Sequence, residues 1–146
     1  MSETEKDVLT GRCLCGAVSV EARPATALDA CHCRMCQHWT GSAFVAFEVE
    51  GGTFAATGPA RTFTSSDWAE RAWCDECGSA LWYRVTLPGH ERHAVAAGLF
   101  ENAGGLELEE EIFIDVKPHG YAFAGTHETK TEAEMQAIFA SFAAGA

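Results

Sequence analysis

The chain has 146 residues, of which 47% are hydrophobic and 21% charged, a balance that fits one globular domain and excludes a disordered protein. Its formal net charge is −11, from 10 Lys plus Arg against 21 Asp plus Glu. The basic residues form no cluster of the kind that binds nucleic acid or an anionic membrane surface. We therefore expect neither of these as a partner.

The start of the chain, residues 1–7, is polar and acidic, which predicts a frayed terminus and no secretory signal. No apolar run approaches the roughly 20 residues of a membrane helix. We therefore expect a single domain over residues 1–146 and a cytoplasmic location.

Short β-like segments separated by turn signals follow along the chain, and they predict a mainly β fold. The predicted strands cover residues 17–21, 44–49, 53–57, 61–64, 71–73, 81–85, 93–100 and 111–116. Gly58 and Pro59 lie between two of these segments and predict a hairpin there. The acidic run from Glu107 to Glu111 predicts a solvated sheet edge.

One helix is predicted at the C-terminus, over residues 131–143. Thr131 and Glu134 fit a capping box at its start. Four apolar residues then follow at i, i+3, i+4 and i+7 spacing, which indicates one apolar helical face: Met135, Ile138, Phe139 and Phe142. We expect this face to pack against the same domain.

The seven cysteines are the most informative residues of the sequence, and they form three clusters before residue 78. They are Cys13, Cys15, Cys31, Cys33, Cys36, Cys74 and Cys77. An odd number of cysteines without a secretory signal argues against a disulfide framework. Clustered cysteines in a reducing compartment more often bind metal.

The two outer clusters offer four sulfurs, the number of a closed structural zinc site. Cys15 and Cys77 are each followed by a glycine, Gly16 and Gly78. A glycine at this point allows the positive φ that bends the backbone around a metal. Backbone amides can then face the thiolates.

The middle cluster, Cys31, Cys33 and Cys36, has three sulfurs within six residues and no glycine after it. Three protein ligands leave a fourth position open, as in reactive zinc sites. Two alternatives remain at this point: His32 or His38 closes the site, or the thiols are free or form a redox pair.

The cysteine motifs resemble those of the glutathione-dependent formaldehyde-activating enzyme family, a domain shared with centromere protein V. The resemblance rests on CLCGAV at residues 13–18, CHCRMC at 31–36 with TGSAF at 40–44, and WCDECGSALWYR at 73–84. It implies a β-tent fold, several short coiled antiparallel sheets stitched by zinc. It also implies two zinc ions, a structural one on Cys13, Cys15, Cys74 and Cys77 and a second, open one on Cys31, Cys33 and Cys36.

The activity that the resemblance implies is that of a carbon–sulfur lyase, the addition of glutathione to formaldehyde to give S-hydroxymethylglutathione. Glutathione or another small thiol and an aldehyde would then be the partners. The competing class is a non-catalytic zinc module for interaction or thiol sensing. The residues assign no catalytic acid or base and leave open whether the chain forms a homodimer.

Glutathione is anionic and the chain carries −11, so a local cation must hold the glutathione carboxylates. Arg34, inside the middle cysteine cluster, is the best-placed candidate for this role. The alternative is a solvated arginine without a specific partner.

Overall fold

The computed structural model describes residues 7–144, and their side chains as far as residue 142. Except for Asp7, the predicted frayed terminus lies outside the described residues. In chain order the elements are β1 (Leu9–Arg12), β2 (Ser19–Ala22), β3 (Leu28–Cys31), α1 (Arg34–Thr40), β4 (Phe44–Glu48), β5 (Ala55–Thr57), β6 (Ala60–Ser66), β7 (Ala69–Cys74), β8 (Ala80–Val85), β9 (Arg92–Ala96), β10 (Leu108–Ile112), β11 (Glu128–Lys130) and α2 (Glu132–Ala144). Short 3-10 turns cover Ala97–Leu99, Glu101–Gly105 and Ile114–Val116. The prediction of a mainly β fold with a C-terminal helix is confirmed.

The strands form two sheets, and residues of both contribute to one hydrophobic core. The small sheet has the order β1-β2-β5, and the large sheet has the order β11-β10-β3-β4-β9-β8-β7-β6. Val20 of the small sheet and Phe47 and Leu81 of the large sheet are fully buried in this core. The two sheets therefore bury apolar faces against each other, which fixes where the loops at their ends meet.

The hairpin predicted around Gly58 is wrong, because β5 and β6 belong to different sheets. β5 pairs with β2, and β6 pairs with β7. Gly58 has a φ of 103° and packs so closely on Ala17 that a Cβ atom there would overlap its carbonyl oxygen. The glycine thus allows the chain to cross from one sheet to the other at a tight contact, rather than to reverse on itself.

The solvated edge predicted for residues 107–111 is also wrong. Residues 108–111 belong to β10, which lies inside the large sheet between β3 and β11 and pairs in parallel with both. A strand with hydrogen-bonding neighbours on both sides is not a sheet edge. Glu111 has only 7% of its surface exposed.

The C-terminal helix begins as the sequence predicts. The amide of Glu134 donates to Thr131 Oγ1 over 3.2 Å, and Glu134 Oε1 accepts from the Thr131 amide over 3.0 Å. Its aromatic residues stack on the same chain, with Phe139 on Trp68 and Phe142 on His90. The capping box and the packed apolar face are both confirmed.

Helix α1 is an element that the sequence analysis did not predict. It has only seven residues, and its apolar periodicity is hidden by cysteines that serve the middle cluster. Gly41 ends it in the left-handed conformation, with φ 88°. Within residues 7–144, neither helix is long and apolar enough to cross a membrane.

Candidate metal centres

The four outer cysteines meet where the two sheets join. Cys13 and Cys15 follow β1 of the small sheet, and Cys74 and Cys77 lie at and after the end of β7 of the large sheet. Their four Sγ atoms all lie within 4.8 Å of one another, although the two pairs are about 60 residues apart. We call this group the inter-sheet cluster.

The spacing of these sulfurs fits a tetrahedral metal site. The Sγ atoms of Cys13 and Cys15 are 3.7 Å apart, and those of Cys15 and Cys74 are 3.8 Å apart. Metal–sulfur bonds of about 2.3 Å in a tetrahedron place the sulfurs about 3.8 Å apart. A disulfide would need sulfurs about 2.05 Å apart, and all seven cysteines are free.

Local hydrogen bonds in the inter-sheet cluster stabilise negative charge on the sulfurs of Cys13 and Cys77. The Val18 amide donates to Cys13 Sγ over 3.2 Å, and Cys77 Sγ lies 3.2 Å from the Ser79 hydroxyl. Hydrogen bonds to Ser79 lower the pKa of the Cys77 thiol to about 5. The glycines after the second cysteine of each pair have φ of 82° and 79°, as the sequence predicted for Gly16 and Gly78.

The middle cysteines form a second group, which we call the three-cysteine cluster. Cys31 ends β3, Cys33 is the N-cap of α1, and Cys36 is buried in the first turn of that helix. Their Sγ atoms lie within 4.8 Å of one another. The Cys36 amide donates to Cys33 Sγ over 3.3 Å, so the helix start itself orients this sulfur.

No histidine closes the three-cysteine cluster among residues 7–144. The group of ligand atoms contains the three sulfurs alone. His32 lies between two of the cysteines, but its Nε2 atom is 2.8 Å from Glu111 Oε1. His38 is exposed on α1 and does not join the group. Within the described residues the group therefore consists of three sulfurs, and neither histidine joins it.

The sequence analysis missed a buried cation beside this cluster, Arg71 in the middle of β7. Arg71 is 6% exposed, and its Nη1 atom donates to Cys36 Sγ over 3.4 Å. Its guanidinium carbon lies 5.0 Å from the centre of the Trp39 ring and 5.1 Å from that of Tyr83. The only signal in the sequence is that Arg71 lies two residues after Ala69, so that both fall on the same face of a strand.

The three sulfurs differ in how readily they ionise, because each one responds to hydrogen bonds and charges of its neighbours. Hydrogen bonds from Cys31 and Cys36 lower the pKa of the Cys33 thiol, and the charge of Arg71 acts in the same direction. Hydrogen bonds with Cys33 and Cys36 raise the pKa of the Cys31 thiol. Burial alone would lower the pKa of Arg71, but the neighbouring Cys36 sulfur raises it, so the guanidinium stays charged.

Arg34, the predicted carboxylate-binding residue, lies on the exposed side of the cluster at the first position of α1. Its side chain is 72% exposed, and Nη1 lies 3.3 Å from Glu132 Oε2 at the start of α2. An exposed pair of this kind is weak, worth about 1 kcal/mol or less. The role of Arg34 toward a substrate stays a prediction.

Three aromatic residues that follow the three-cysteine cluster in the sequence, Trp39, Phe44 and Phe47, divide between two environments. Trp39 and Phe44 pack against the three-cysteine cluster, with ring centres 4.8 Å apart. Phe47 instead lies in the main core, against Phe100. Trp39 and Phe44 therefore line the cluster, whereas Phe47 does not.

A buried hydrogen-bonded triad lies behind the three-cysteine cluster. Glu111 Oε1 and Oε2 lie 2.8 Å from His32 Nε2 and His127 Nδ1, respectively. Burial alone would raise the pKa of Glu111, but these two hydrogen bonds lower it. Since an ionised carboxylate only accepts, both histidine nitrogens must donate. The triad ties β3, β10 and the segment before β11 together.

We expect Glu111→Gln to destabilise the protein by about 1–3 kcal/mol at neutral pH, because the amide turns an NH₂ group toward one of two buried N–H donors. The lowered pKa means that the carboxylate contributes stability above the usual Glu range and loses it on acidification. The difference in free energy of unfolding between the variant and the wild type should thus become smaller at acidic pH. Urea unfolding of both proteins at neutral and at acidic pH measures this difference.

Glu109→Gln is the matched control for this experiment, since Glu109 lies on the same strand but is exposed. It should unfold like the wild type at both pH values. Equal stability of Glu111→Gln and the wild type at neutral pH would contradict the role assigned to the triad.

The comparisons with known proteins agree with this architecture. The sequence model of the glutathione-dependent formaldehyde-activating enzyme family matches residues 8–116. The chain belongs to this family. The matched range contains both cysteine clusters, Arg71 and Glu111, whereas β11 and α2 lie beyond it.

A relative in Schizosaccharomyces pombe, named an uncharacterized lyase, is 32% identical over 116 residues, which cover 78% of this chain and 84% of the relative. A crystal structure of a Rhodobacter sphaeroides protein superposes with a TM-score of 0.55 at 19% identity, over 64% of this chain and 88% of that one. The likeness to the Rhodobacter sphaeroides structure supports the fold alone.

Proposed function

We propose that the protein is a zinc-dependent carbon–sulfur lyase that binds a thiol, such as glutathione, at the three-cysteine cluster and acts on its adduct with formaldehyde or another small aldehyde. The observation that carries the proposal is the group of exactly three sulfurs, with no fourth ligand from the described chain. Membership of the formaldehyde-activating family and the relative named a lyase support the reaction type.

The donor sets suit zinc, which is bound well by thiolates in tetrahedral sites. In this proposal one ion is held by the inter-sheet cluster, Cys13, Cys15, Cys74 and Cys77, and is closed. A second ion is held by Cys31, Cys33 and Cys36. When bound there, zinc would supply an acidic position that lowers the pKa of a coordinated thiol.

Three anionic sulfurs make a soft thiolate the natural additional ligand. With three thiolates the formal charge of a zinc centre is −1, so it ionises water less well than a site of neutral ligands. The cluster is therefore suited to a sulfur nucleophile rather than to hydrolysis.

The chain's own residues would hold the reactants. Trp39 and Phe44 form an apolar wall on one side of the cluster. Arg34 would bind a substrate carboxylate after releasing Glu132, which its exposed position allows. Holding thiol and aldehyde together lowers the entropic barrier to their reaction.

The bond changes are balanced without a redox partner. In the synthetic direction the thiol loses its proton, a C–S bond forms between its sulfur and the carbonyl carbon, the carbonyl π bond opens, and the oxygen takes up that proton. In the lyase direction the same C–S bond breaks.

Seven free thiols also suit a compartment that keeps cysteines reduced, so the proposed location of the protein is the cytoplasm.

Exchange NMR between formaldehyde hydrate and S-hydroxymethylglutathione at equilibrium tests the proposal. Because thiols add to formaldehyde unaided, the measured quantity is the exchange rate in excess of the protein-free mixture. We expect the wild type to raise this rate and Cys31→Ser to return it to the background.

The matched control is Met35→Ala, since Met35 is 45% exposed and lies within the same motif without offering a metal ligand of the cluster. It should exchange like the wild type. An exchange rate at background for the zinc-loaded wild type would reject turnover and favour the non-catalytic zinc module.

A further inference from the structure

Arg71 is a buried cation whose charge is not balanced by any carboxylate of the described chain. No Asp or Glu oxygen among these residues lies within 4.0 Å of it, in contrast to Arg84 on the neighbouring strand, which pairs with Glu70 at 3.1 Å. Its one side-chain hydrogen bond among the described residues goes to Cys36 Sγ, and its Nε atom has no partner there. A buried, unpaired charge is costly, so it needs a counter-charge.

The position of this charge is fixed by three elements. Arg71 is the register partner of Tyr83 across the β7–β8 pair, and Tyr83 contributes one of the two rings against the guanidinium. Trp39, on the same helix as Cys36, contributes the other ring. Aromatic faces stabilise a desolvated cation by about 2 kcal/mol. The guanidinium is thus held against the cluster, rather than against solvent.

We infer that Arg71 is a positioning residue that acts through Cys36 to make the three-cysteine cluster select an anionic fourth ligand over a neutral one. This inference rests on the proposed function and deepens it, because it names the residue whose charge favours the thiolate form of the substrate.

Charge counting gives the physical reason. Three thiolates around a dication sum to −1, and a thiolate as fourth ligand would make −2. The fixed positive charge of Arg71 raises each sum by one, to 0 and −1, so the fourth thiolate enters a neutral surrounding instead of a negative one. A neutral ligand gains no comparable electrostatic stabilisation from Arg71, because its binding leaves the net charge of the centre unchanged.

The test uses the cobalt-loaded full chain, because cobalt reports its ligands in the visible spectrum. We would titrate it with azide, an anion, with imidazole, a neutral ligand, and with glutathione. In the wild type we expect azide and glutathione to bind. In Arg71→Met the affinity ratio of azide over imidazole should fall at least about tenfold, and glutathione should weaken by a similar factor.

Methionine is chosen because an unbranched thioether packs well between two aromatic rings. If Arg71→Met does not fold, Arg71→Gln takes its place in the titrations. Arg71→Lys keeps the charge and should restore most of the selectivity. Arg84→Gln removes an arginine of the adjacent strand that pairs with Glu70, and it should leave the ratio unchanged. A merely structural role for Arg71 would weaken both ligands together and leave their ratio intact.

An unchanged ratio in Arg71→Met and Arg71→Gln would overturn the inference. If the ratio falls as expected but glutathione does not bind to the wild type, the selectivity stands and the proposed function fails. If no ligand binds to the wild type, the cluster is closed and both are overturned.

Discussion

Replacing Cys77 by alanine is expected to unfold the protein or to lower its melting temperature sharply. Cys77 contributes one of four sulfurs that join the end of β7 in the large sheet to the turn after β1 in the small one. A structural zinc contributes on the order of 10 kcal/mol to folding in small zinc domains, which compares with a total stability of about 5–15 kcal/mol. Circular dichroism during heating, together with the zinc content, measures the loss.

Leu14→Ala provides the matched control for this substitution. Leu14 stands between Cys13 and Cys15 in the same turn, is 88% exposed and offers no metal ligand. It should melt like the wild type. A melting curve of Cys77→Ala that coincides with the wild-type curve would show that the inter-sheet cluster does not support the fold.

Replacing Cys33 by serine is expected to remove function but not the fold, in contrast to Cys77→Ala. The variant should lose one zinc equivalent and all thiol-dependent exchange, and it should remain folded. A serine hydroxyl is a poor zinc ligand at neutral pH, but it is a good N-cap. Since Cys33 caps α1 by accepting from the Cys36 amide, serine can keep that hydrogen bond. The change in stability should be about 1 kcal/mol or less.

Metal analysis, exchange NMR and thermal unfolding of the same Cys33→Ser preparation check this separation of roles. Met35→Ala should keep both ions and the exchange. Unfolding of Cys33→Ser to the extent expected for Cys77→Ala would mean that the second cluster is structural as well, and that the two centres are not divided into one closed and one open site.

Local sequence patterns predicted the parts of the molecule that depend on local chemistry. The positive φ at Gly16 and Gly78 follows from the need of a cysteine turn for a left-handed residue, and it is found at both positions. The capping box at Thr131 likewise needs only residues three apart. Cysteine spacing also grouped the seven sulfurs into the two clusters that the fold brings together.

Features that depend on how distant strands pair were not predictable in this way. Gly58 has the composition of a hairpin turn, but its close packing on Ala17 takes the chain to another sheet. The acidic run before Ile112 has the composition of an edge, but parallel pairing on both sides places Glu111 inside. In each case a long-range contact decided what the local residues do.

The site shows the same division. The cysteines were found because ligand spacing is a short-range signal, whereas Arg71 lies 35 residues beyond Cys36, the sulfur that it contacts. An arginine in a strand is most often exposed, and only the pairing of β7 with β8 turns this one toward Tyr83. Sequence reasoning chose Arg34 for the cation because it is near in sequence, and the structure shows a second, buried cation that is near in space.

The number of zinc ions tightly bound per chain is the most direct test of the two-centre account. The protein should be purified under reducing conditions, without chelator, and its metal content measured against the concentration of the intact chain. Four sulfurs in one cluster and three in the other predict two ions in the wild type and one in Cys33→Ser. A single ion in the wild type would contradict the account.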